Sequence, residues 1–217
     1  MVHTWPLTLR DRELVLRPLQ RRDRAAYDAL RRRNAAWLRP WDATDPEHGR
    51  VQPPFATLRR WGERQARAGT MLPLGIVVDG RLRGQITAAP ILYGPQRCAT
   101  LGYWIDRESA GRGIVPRAAA LVIDHLFAEM GIHRVEVTVR PENAASLRVV
   151  EKLHLRGEGL RRSAIHVDGA WRDHLVFAIT AEEIRPAHAG RTDRRDHGGR
   201  GVLDRLLTEY PPDTRPT

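Results

Sequence analysis

A glycine-containing turn between a strand and a long helix constrains the fold of this chain more than any other segment. The turn, Ser109-Ala-Gly-Arg-Gly113, follows a strand pattern at Thr100–Ile105 and precedes a helical pattern from Ile114 to Met130. Pro116 lies in the first helical turn, where its missing N–H costs nothing. A cleanly alternating strand follows at Arg134–Arg140. A strand–helix–strand unit of this kind predicts a right-handed crossover, and therefore an α/β domain.

The segments on either side of this unit predict a single domain with a mixed sheet. A short strand at Leu14–Leu19 precedes helical patterns at Gln20–Arg33 and Phe55–Ala68, and Asp-Gly dipeptides at 79–80 and 168–169 mark hairpins. Because hairpins pair strands antiparallel, we predict a mixed, mostly antiparallel sheet of about six or seven strands flanked by about four helices. This domain occupies residues 1–184. Residues 185–217 are predicted to form a basic, mostly disordered tail with one short helix at Val202–Glu209.

The turn is also suited to binding an anion. Backbone N–H groups at a helix N-terminus lack internal partners and lie at the positive end of the helix dipole, so a phosphate can bind there through the backbone. Gly111 and Gly113 allow a close approach, and Arg112 adds positive charge. The alternative is a tight turn without a ligand. Two phosphate-binding motifs are excluded, because no Gly-Lys-Ser/Thr follows and Pro116 stands where a dinucleotide motif has its third glycine.

Two segments together resemble the GNAT family of N-acetyltransferases. The first is Glu108-Ser-Ala-Gly-Arg-Gly113, similar to the family signature Gln/Arg-x-x-Gly-x-Gly/Ala except that Glu108 occupies the first position. The second is Val139–Gly157, in which Asn143 opens a helix. The resemblance extends from about Leu14 to Ile179. Aromatic segments at 34–41, 101–105 and 171–177 resemble the branch that acetylates the N-terminal alanine of ribosomal proteins, a branch that also has relatives acting on small amines.

The resemblance implies that the chain binds acetyl-CoA as a co-substrate. Tyr103, Trp104 and Ile105 would line the pantetheine arm, with a backbone N–H facing the thioester oxygen. Asn143 would hydrogen-bond the pantetheine amides. The simpler alternatives are ordinary strand aromatics and, for Asn143, a helix N-cap, which can coexist with a cofactor contact. The pyrophosphate would lie on the turn, against Ala110, Gly111, Arg112, Gly113, Ile114 and Val115.

The resemblance also implies roles in catalysis for three side chains. Ser146 would protonate the departing CoA thiolate, the alternative being a small residue on the helix surface. An α-amine has a pKa near 7.7–8.0, so a carboxylate acting through water is a sufficient base. Glu136 is the first choice for this base, although a salt bridge with Arg134 or Arg140 explains it equally well. Asp173 is the second choice, as a base or as a holder of the incoming N-terminus.

The acceptor is the least constrained part of the hypothesis. Trp37 and Trp41 lie in a loop that in relatives covers the acceptor, and they are predicted to bind substrate or else to cap the core. The leading acceptor is a protein N-terminus, with a ribosomal protein as the first guess. The rival is a small amine such as an amino acid, polyamine or aminoglycoside. An open slot would favour a peptide, and a deep acidic pocket would favour a cationic small molecule.

Charge and composition support a more distant alternative. The net charge of +10, much of it in residues 1–70, favours a polyanionic partner. The distant alternative is therefore a non-catalytic protein that docks on ribosomal RNA, and a hybrid of the two hypotheses is an enzyme whose basic regions contact the ribosome. Histidine and cysteine spacing predicts no metal site, and no apolar run is long enough to cross a bilayer. The single cysteine, Cys98, and the lack of an export signal at the N-terminus favour a cytoplasmic protein.

Overall fold

The computed structural model describes residues 5–49, 53–184 and 201–209, which form one eight-stranded sheet with helices on both faces. The sheet order is β1-β2-β3-β4-β5-β6-β8-β7, and every neighbouring pair is antiparallel except β5 with β6. The strands are β1 Leu9–Asp11, β2 Leu14–Arg17, β3 Leu72–Val78, β4 Arg81–Leu92, β5 Cys98–Ile105, β6 Arg134–Val139, β7 Arg156–Val167 and β8 Ala170–Thr180. The helices are α1 Arg24–Arg33, α2 Ala35–Leu38, α3 Phe55–Arg67, α4 Ile114–Ala128, α5 Ala144–Lys152, α6 Ala181–Ile184 and α7 Val202–Glu209.

The predicted mixed α/β domain is confirmed, and the described chain contains more elements than the sequence indicated. The additional strand is β1, which has three residues, too few for an alternating pattern to be recognised. It is held in place by Arg117 of α4, whose guanidinium donates to the Asp11 carboxylate at 2.6 Å and to the Glu13 carboxylate at 2.7 Å. The added helices α2 and α6 have four residues each, below the length at which helical periodicity is visible.

Two separate cores lie on the two faces of the sheet. On one face α4 packs closely, because Ala118, Ala119 and Ala120 are fully buried and let the helix backbone approach the strands. On the other face a smaller cluster joins α1 and α3 to the sheet, through Leu30 and Phe55. Helices therefore pack against both faces of the sheet. The candidate site lies near the point where β5 and β6 separate.

The parallel strands β5 and β6 diverge soon after they meet. They pair only from Cys98 to Thr100 on β5 and from Arg134 to Glu136 on β6. Beyond this point β5 continues to Ile105, paired to β4 on its other side alone. The edge of β5 that faces the gap therefore has backbone groups that are not paired to β6. The resemblance implies that the pantetheine arm lies along this part of β5.

The short helix expected near the C-terminus is confirmed as α7. Asp124 of α4 accepts hydrogen bonds from the backbone N–H of Val202 at 2.7 Å and of Leu203 at 3.1 Å, so it caps the helix. Val202 and Leu206 are buried in the main core. The remainder of the predicted tail, at 185–200 and 210–217, lies outside the described residues. Within the described ranges, no helix combines the length and the apolar character needed to cross a membrane.

Candidate acetyl-CoA site

The predicted anion-binding turn has the geometry of an open backbone cradle. After Ile105 the chain makes a short 3-10 turn at Arg107–Ser109, and α4 begins at Ile114. Gly111 and Gly113 have φ angles of 77° and 72°, in the left-handed region that favours glycine. A Cβ added at either position would meet no protein atom within 4 Å. The two glycines are therefore required by the backbone conformation and leave free space above the turn.

A buried carboxylate anchors the start of this turn. Asp106 is only 1% exposed, and its oxygens accept hydrogen bonds from the Arg33 guanidinium and from the Asn34 amide, the latter at 2.9 Å. Asn34 in turn accepts a hydrogen bond from the Arg107 N–H at 3.0 Å. Burial raises the pKa of Asp106, but the hydrogen bonds from Arg33 and Asn34 outweigh it, so the pKa lies below its usual range. The end of α1 thus fixes the position at which the turn leaves β5.

One cavity of about 210 Å³ lies between this turn and the end of β5, beyond the point where β5 and β6 cease to pair. Three groups of residues line it. The turn and the start of α4 contribute one wall, and α5 contributes a second. The third wall comes from β5 together with α2 and the loop after it. The lining residues that bear on chemistry are Trp37, Trp41, Asp42, Tyr103, Trp104, Ile105, Ala110, Gly111, Gly113, Ile114, Val115, Asn143, Ser146, Arg148 and Lys152.

The first turn of α5 brings two predicted residues to the cavity. Asn143 caps the helix, because its Oδ1 accepts a hydrogen bond from the Ser146 N–H at 3.1 Å. This leaves the Nδ2 group as the part of Asn143 that can donate to a ligand. Ser146 lies beside Tyr103 of β5, and burial raises the pKa of Tyr103 to about 12, an effect that the Ser146 hydroxyl partly opposes.

The wall of the cavity formed by Trp37 and Trp41 consists of aromatic side chains that lie against arginines. The guanidinium carbon of Arg107 lies 5.8 Å from the centre of the Trp37 ring, and that of Arg140 lies 5.5 Å from the Trp41 ring. Arg140 also donates to the Pro40 carbonyl at 2.8 Å.

The loop after α2 is fixed to the β7–β8 hairpin as well. The Thr44 N–H donates to the His166 carbonyl at 2.8 Å, and the Arg39 guanidinium contacts the Asp168 carboxylate at 2.9 Å. These contacts hold the aromatic wall against the end of the sheet.

Comparison with known proteins agrees with this geometry. The model of the acetyltransferase (GNAT) domain matches residues 13–156, two thirds of the chain. The chain belongs to the GNAT acetyltransferase family. The structure of RimJ from Mycobacterium smegmatis in complex with CoA-disulfide superposes with a TM-score of 0.81 at 33% identity, covering 94% of this chain and 95% of that one.

Two further N-acetyltransferases match the chain, one over a shorter region and one at lower identity. The probable N-acetyltransferase YjcK of Bacillus subtilis is 40% identical over 101 residues, which are 46% of this chain and 56% of that protein. The chain thus matches little more than half the length of this GNAT relative. The [ribosomal protein uS5]-alanine N-acetyltransferase of Escherichia coli is 25% identical over 80% of this chain and 90% of its own length.

Two residues predicted as bases in this GNAT site lie outside the lining of the cavity. The Glu136 carboxylate accepts a hydrogen bond from Arg134 at 2.9 Å, one of the two partners that the salt-bridge alternative named; the second partner is Arg161 at 3.5 Å and not Arg140. The Asp173 carboxylate accepts the Ser163 N–H at 2.8 Å, at an irregular point of the β7–β8 ladder. The structure therefore gives both carboxylates protein partners away from the glycine turn. Arg112 is exposed and also lies outside the lining.

Other residues of the GNAT site were not anticipated from the sequence. Arg148 and Lys152 lie one turn apart on α5 and place two positive charges on the cofactor side of the cavity. Asp42 is the acidic residue among those that line the cavity, and the Arg31 guanidinium lies 2.6 Å from its carboxylate. The spacing of Arg148 and Lys152 at i and i+4 was a usable signal. Asp42 offered none, because its position depends on a loop packed against a distant hairpin.

The residues of the cavity fit acetyl-CoA. The open space above Gly111 and Gly113, the N-terminus of α4 and the charges of Arg148 and Lys152 suit a pyrophosphate. The edge of β5 beyond its pairing with β6 offers backbone groups to the amides of a pantetheine arm. Among the residues that the structure describes, no cluster of three or more His, Cys, Asp or Glu side chains could hold a metal.

Proposed function

We propose that this chain transfers the acetyl group of acetyl-CoA to the α-amine at the N-terminus of a protein, with ribosomal proteins as the first candidates. The observation that carries the proposal is the cavity whose lining brings the glycine turn, the end of β5 and the indoles of Trp37 and Trp41 together. Such an arrangement lets the thioester and the amine meet beside β5. The similarity to RimJ and to the uS5-alanine enzyme supports this choice of acceptor.

In this proposal the backbone of the turn holds the pyrophosphate, and Arg148 and Lys152 neutralise the remaining phosphate charge. The Asn143 side-chain amide donates to the pantetheine arm while its oxygen caps α5. Acetyl-CoA supplies an activated thioester. A backbone N–H on the unpaired edge of β5 polarises the thioester carbonyl, because this edge faces the gap where the arm lies.

The remaining chemistry requires little from side chains. At pH 7 roughly a tenth of an α-amine with a pKa near 8 is already neutral, so loss of its proton to water is sufficient. Glu136 and Asp173 are engaged elsewhere, and the mechanism that we propose uses neither as a direct base. Ser146, on the first turn of α5, donates a hydrogen bond to the departing sulfur.

The charge of the acceptor side favours a peptide over a polyamine. Asp42 is the acidic residue of the lining, and its contact with Arg31 offsets part of its charge. A polyamine carries several positive charges and would need several carboxylates, whereas an N-terminus carries one. The indoles of Trp37 and Trp41 offer apolar surfaces for the first side chain of the peptide.

The test is an acetylation assay with peptides that copy the N-termini of ribosomal proteins, alanine-starting ones included. CoA release and peptide mass are measured for each, beside N-formylated peptides and a panel of small amines. We expect acetylation of at least one free N-terminus and none of the blocked peptides. Transfer to small amines alone would overturn the choice of acceptor, and lack of acetyl-CoA binding would overturn the proposed function as a whole.

A matched pair of tryptophan variants tests the acceptor wall. Trp41→Ala removes an indole that lines the cavity. We expect the KM for peptide to rise about 10-fold, because aromatic surface of this size buried against a ligand is worth about 1 to 2 kcal/mol. Trp61→Ala removes a half-exposed indole of α3 that lies outside this cavity. It should leave the KM unchanged. Equal effects of the two variants would contradict the assignment of this wall to the acceptor.

A further inference from the structure

The hydroxyl group of Tyr103 is a buried polar group without an evident role in the fold. Tyr103 belongs to β5, and its ring packs against the main core. Its hydroxyl oxygen is inaccessible to solvent and has no hydrogen-bond partner of acceptable geometry among the described residues. Leaving a hydroxyl unsatisfied costs free energy, and most buried side-chain polar atoms in proteins have a partner. A phenylalanine would pack equally well here and would avoid this cost.

Ser146 is the candidate partner, because both residues line the same cavity and the Ser146 hydroxyl acts on the Tyr103 hydroxyl. The Ser146 hydroxyl already affects Tyr103, since it lowers a pKa that burial raises. Ser146 belongs to the first turn of α5, so its position is fixed by the Asn143 cap. Hydroxyl groups rotate to suit their partners, so the two hydroxyls can share a hydrogen bond in the liganded cavity.

We propose that Tyr103 is a positioning residue, which donates its hydroxyl hydrogen to the Ser146 oxygen and thereby directs the Ser146 hydrogen toward the sulfur of bound CoA. This inference rests on the proposed function, because a sulfur in the cavity is the acceptor that the pair serves.

The direction of the hydrogen bonds follows from the donors available. Each hydroxyl has one hydrogen to donate, and the serine oxygen can accept two. With its pKa raised to about 12, Tyr103 remains protonated at neutral pH and is always a donor. Once Tyr103 donates to the serine oxygen, the serine hydrogen is free to point into the cavity. Hydrogen bonds in such a chain polarise one another, so the Ser146 hydroxyl becomes a stronger donor.

The pair assists the step in which the thioester bond breaks. The amine nitrogen forms a bond to the acetyl carbon, the carbon–sulfur bond breaks, and its electron pair moves to sulfur. The nitrogen releases one proton to water. Sulfur then either stays a thiolate or takes a proton from water, since a thiol has a pKa near 8.5. Tyr103 and Ser146 stabilise the negative charge on sulfur through hydrogen bonds, and both remain neutral throughout.

The first experiment measures the ionisation of CoA bound to the intact protein, without an acceptor. Thiolate formation is followed by ultraviolet absorbance as the pH is raised, and CoA affinity is measured by calorimetry. We expect the thiol pKa of bound CoA to be about one unit higher in Tyr103→Phe than in wild type, a 10-fold effect. Ser146→Ala should show at least the same increase. Tyr93→Phe, which removes the hydroxyl of a surface tyrosine bonded to the Gly69 carbonyl, is the control.

The second experiment measures turnover in a double-mutant cycle. Tyr103→Phe should lower kcat about 10-fold and leave the KM for acetyl-CoA unchanged, because it removes a hydrogen bond that acts on the departing sulfur. Adding Tyr103→Phe to Ser146→Ala should have no further effect, because Tyr103 acts through Ser146. Independent, multiplicative effects would overturn the inference, and so would a normal kcat and thiol pKa in Tyr103→Phe.

A measurement on the unsubstituted side chain covers the case in which Tyr103→Phe does not fold. Protein labelled with fluorotyrosine gives one fluorine resonance for each of its four tyrosines, assigned by replacing the other three in turn. The Tyr103 resonance should shift when CoA binds, and the shift should be larger in wild type than in Ser146→Ala; equal shifts in the two proteins would refute the inference. An unchanged Tyr103 resonance in wild type that binds CoA refutes the inference alone. A wild type that binds no CoA refutes the proposed function instead.

Discussion

Alanine in place of Gly113 should separate the cost of backbone strain from the cost of losing the phosphate cradle. Gly113 is the N-cap of α4 with φ at 72°, and an added Cβ would meet no protein atom within 4 Å. The loss of stability is therefore conformational alone, about 1 to 2 kcal/mol for a non-glycine residue in the left-handed region. For a chain of this size the melting temperature should fall by roughly 2 to 8 °C.

Gly80 provides a control with nearly the same local geometry. It lies in the turn between β3 and β4 with φ at 73°, and an added Cβ would again meet nothing within 4 Å. Gly80→Ala should therefore lower the stability by the same amount as Gly113→Ala. The two sites differ in that the space above Gly113 belongs to the cavity proposed for the cofactor.

The affinity for acetyl-CoA should distinguish the two variants. A methyl group at Gly113 holds the phosphate away from the backbone N–H groups, and a hydrogen bond to a charged group is worth about 1.5 to 3 kcal/mol. We expect Kd to rise roughly 10- to 100-fold in Gly113→Ala and to stay unchanged in Gly80→Ala, as measured by calorimetry. If Gly113→Ala binds acetyl-CoA as tightly as Gly80→Ala does, the turn is not the phosphate site.

Two further predictions concern carboxylates outside the cavity, the half-buried Asp124 and the buried Asp106. Asp124→Ala removes the cap of α7, so we expect a loss of about 1 kcal/mol and faster amide exchange at Leu206, whereas Asp124→Asn should keep the helix docked; unchanged exchange in Asp124→Ala would show that the cap is unnecessary. The lowered pKa of Asp106 contributes stability that is present above its unfolded pKa of about 3.9 and is lost as the pH falls through the lower folded pKa. Asp106→Asn should therefore lose less stability than wild type between about pH 5 and pH 2 in urea unfolding, and an identical pH dependence would contradict this assignment.

The elements that the sequence predicted well are those whose signal is local. The Asp-Gly hairpins, the alternating strand at Arg134–Val139 and the glycine turn each carry their own pattern. The strand β1 was missed because three residues carry no period, and its position depends on Arg117, more than a hundred residues away in sequence. Long-range ion pairs of this kind leave no trace in a single sequence.

The same distinction separates the two halves of the candidate site. Backbone conformation defines the cofactor side, and positive φ at Gly111 and Gly113 could be anticipated from residue type alone. The carboxylates were harder to place, because an alternating strand fixes which face a side chain occupies but not what it meets there. Glu136 was expected on the polar face, where Arg134 and Arg161 engage it. The position of Asp42 follows from tertiary contacts that local patterns do not encode.

This division has a consequence for how the acceptor is chosen. The proposed cofactor side is built on α4, α5 and β5, which contribute residues to the main core. The proposed acceptor side is built on the loop after α2, which reaches the sheet through contacts such as Thr44 with His166 and Arg39 with Asp168. Substitutions in that loop or in the β7–β8 hairpin can therefore move the aromatic wall without disturbing the glycine turn. We therefore expect such substitutions to change the KM for the amine while the affinity for acetyl-CoA stays constant. One acetyl-transfer chemistry would then serve different acceptors.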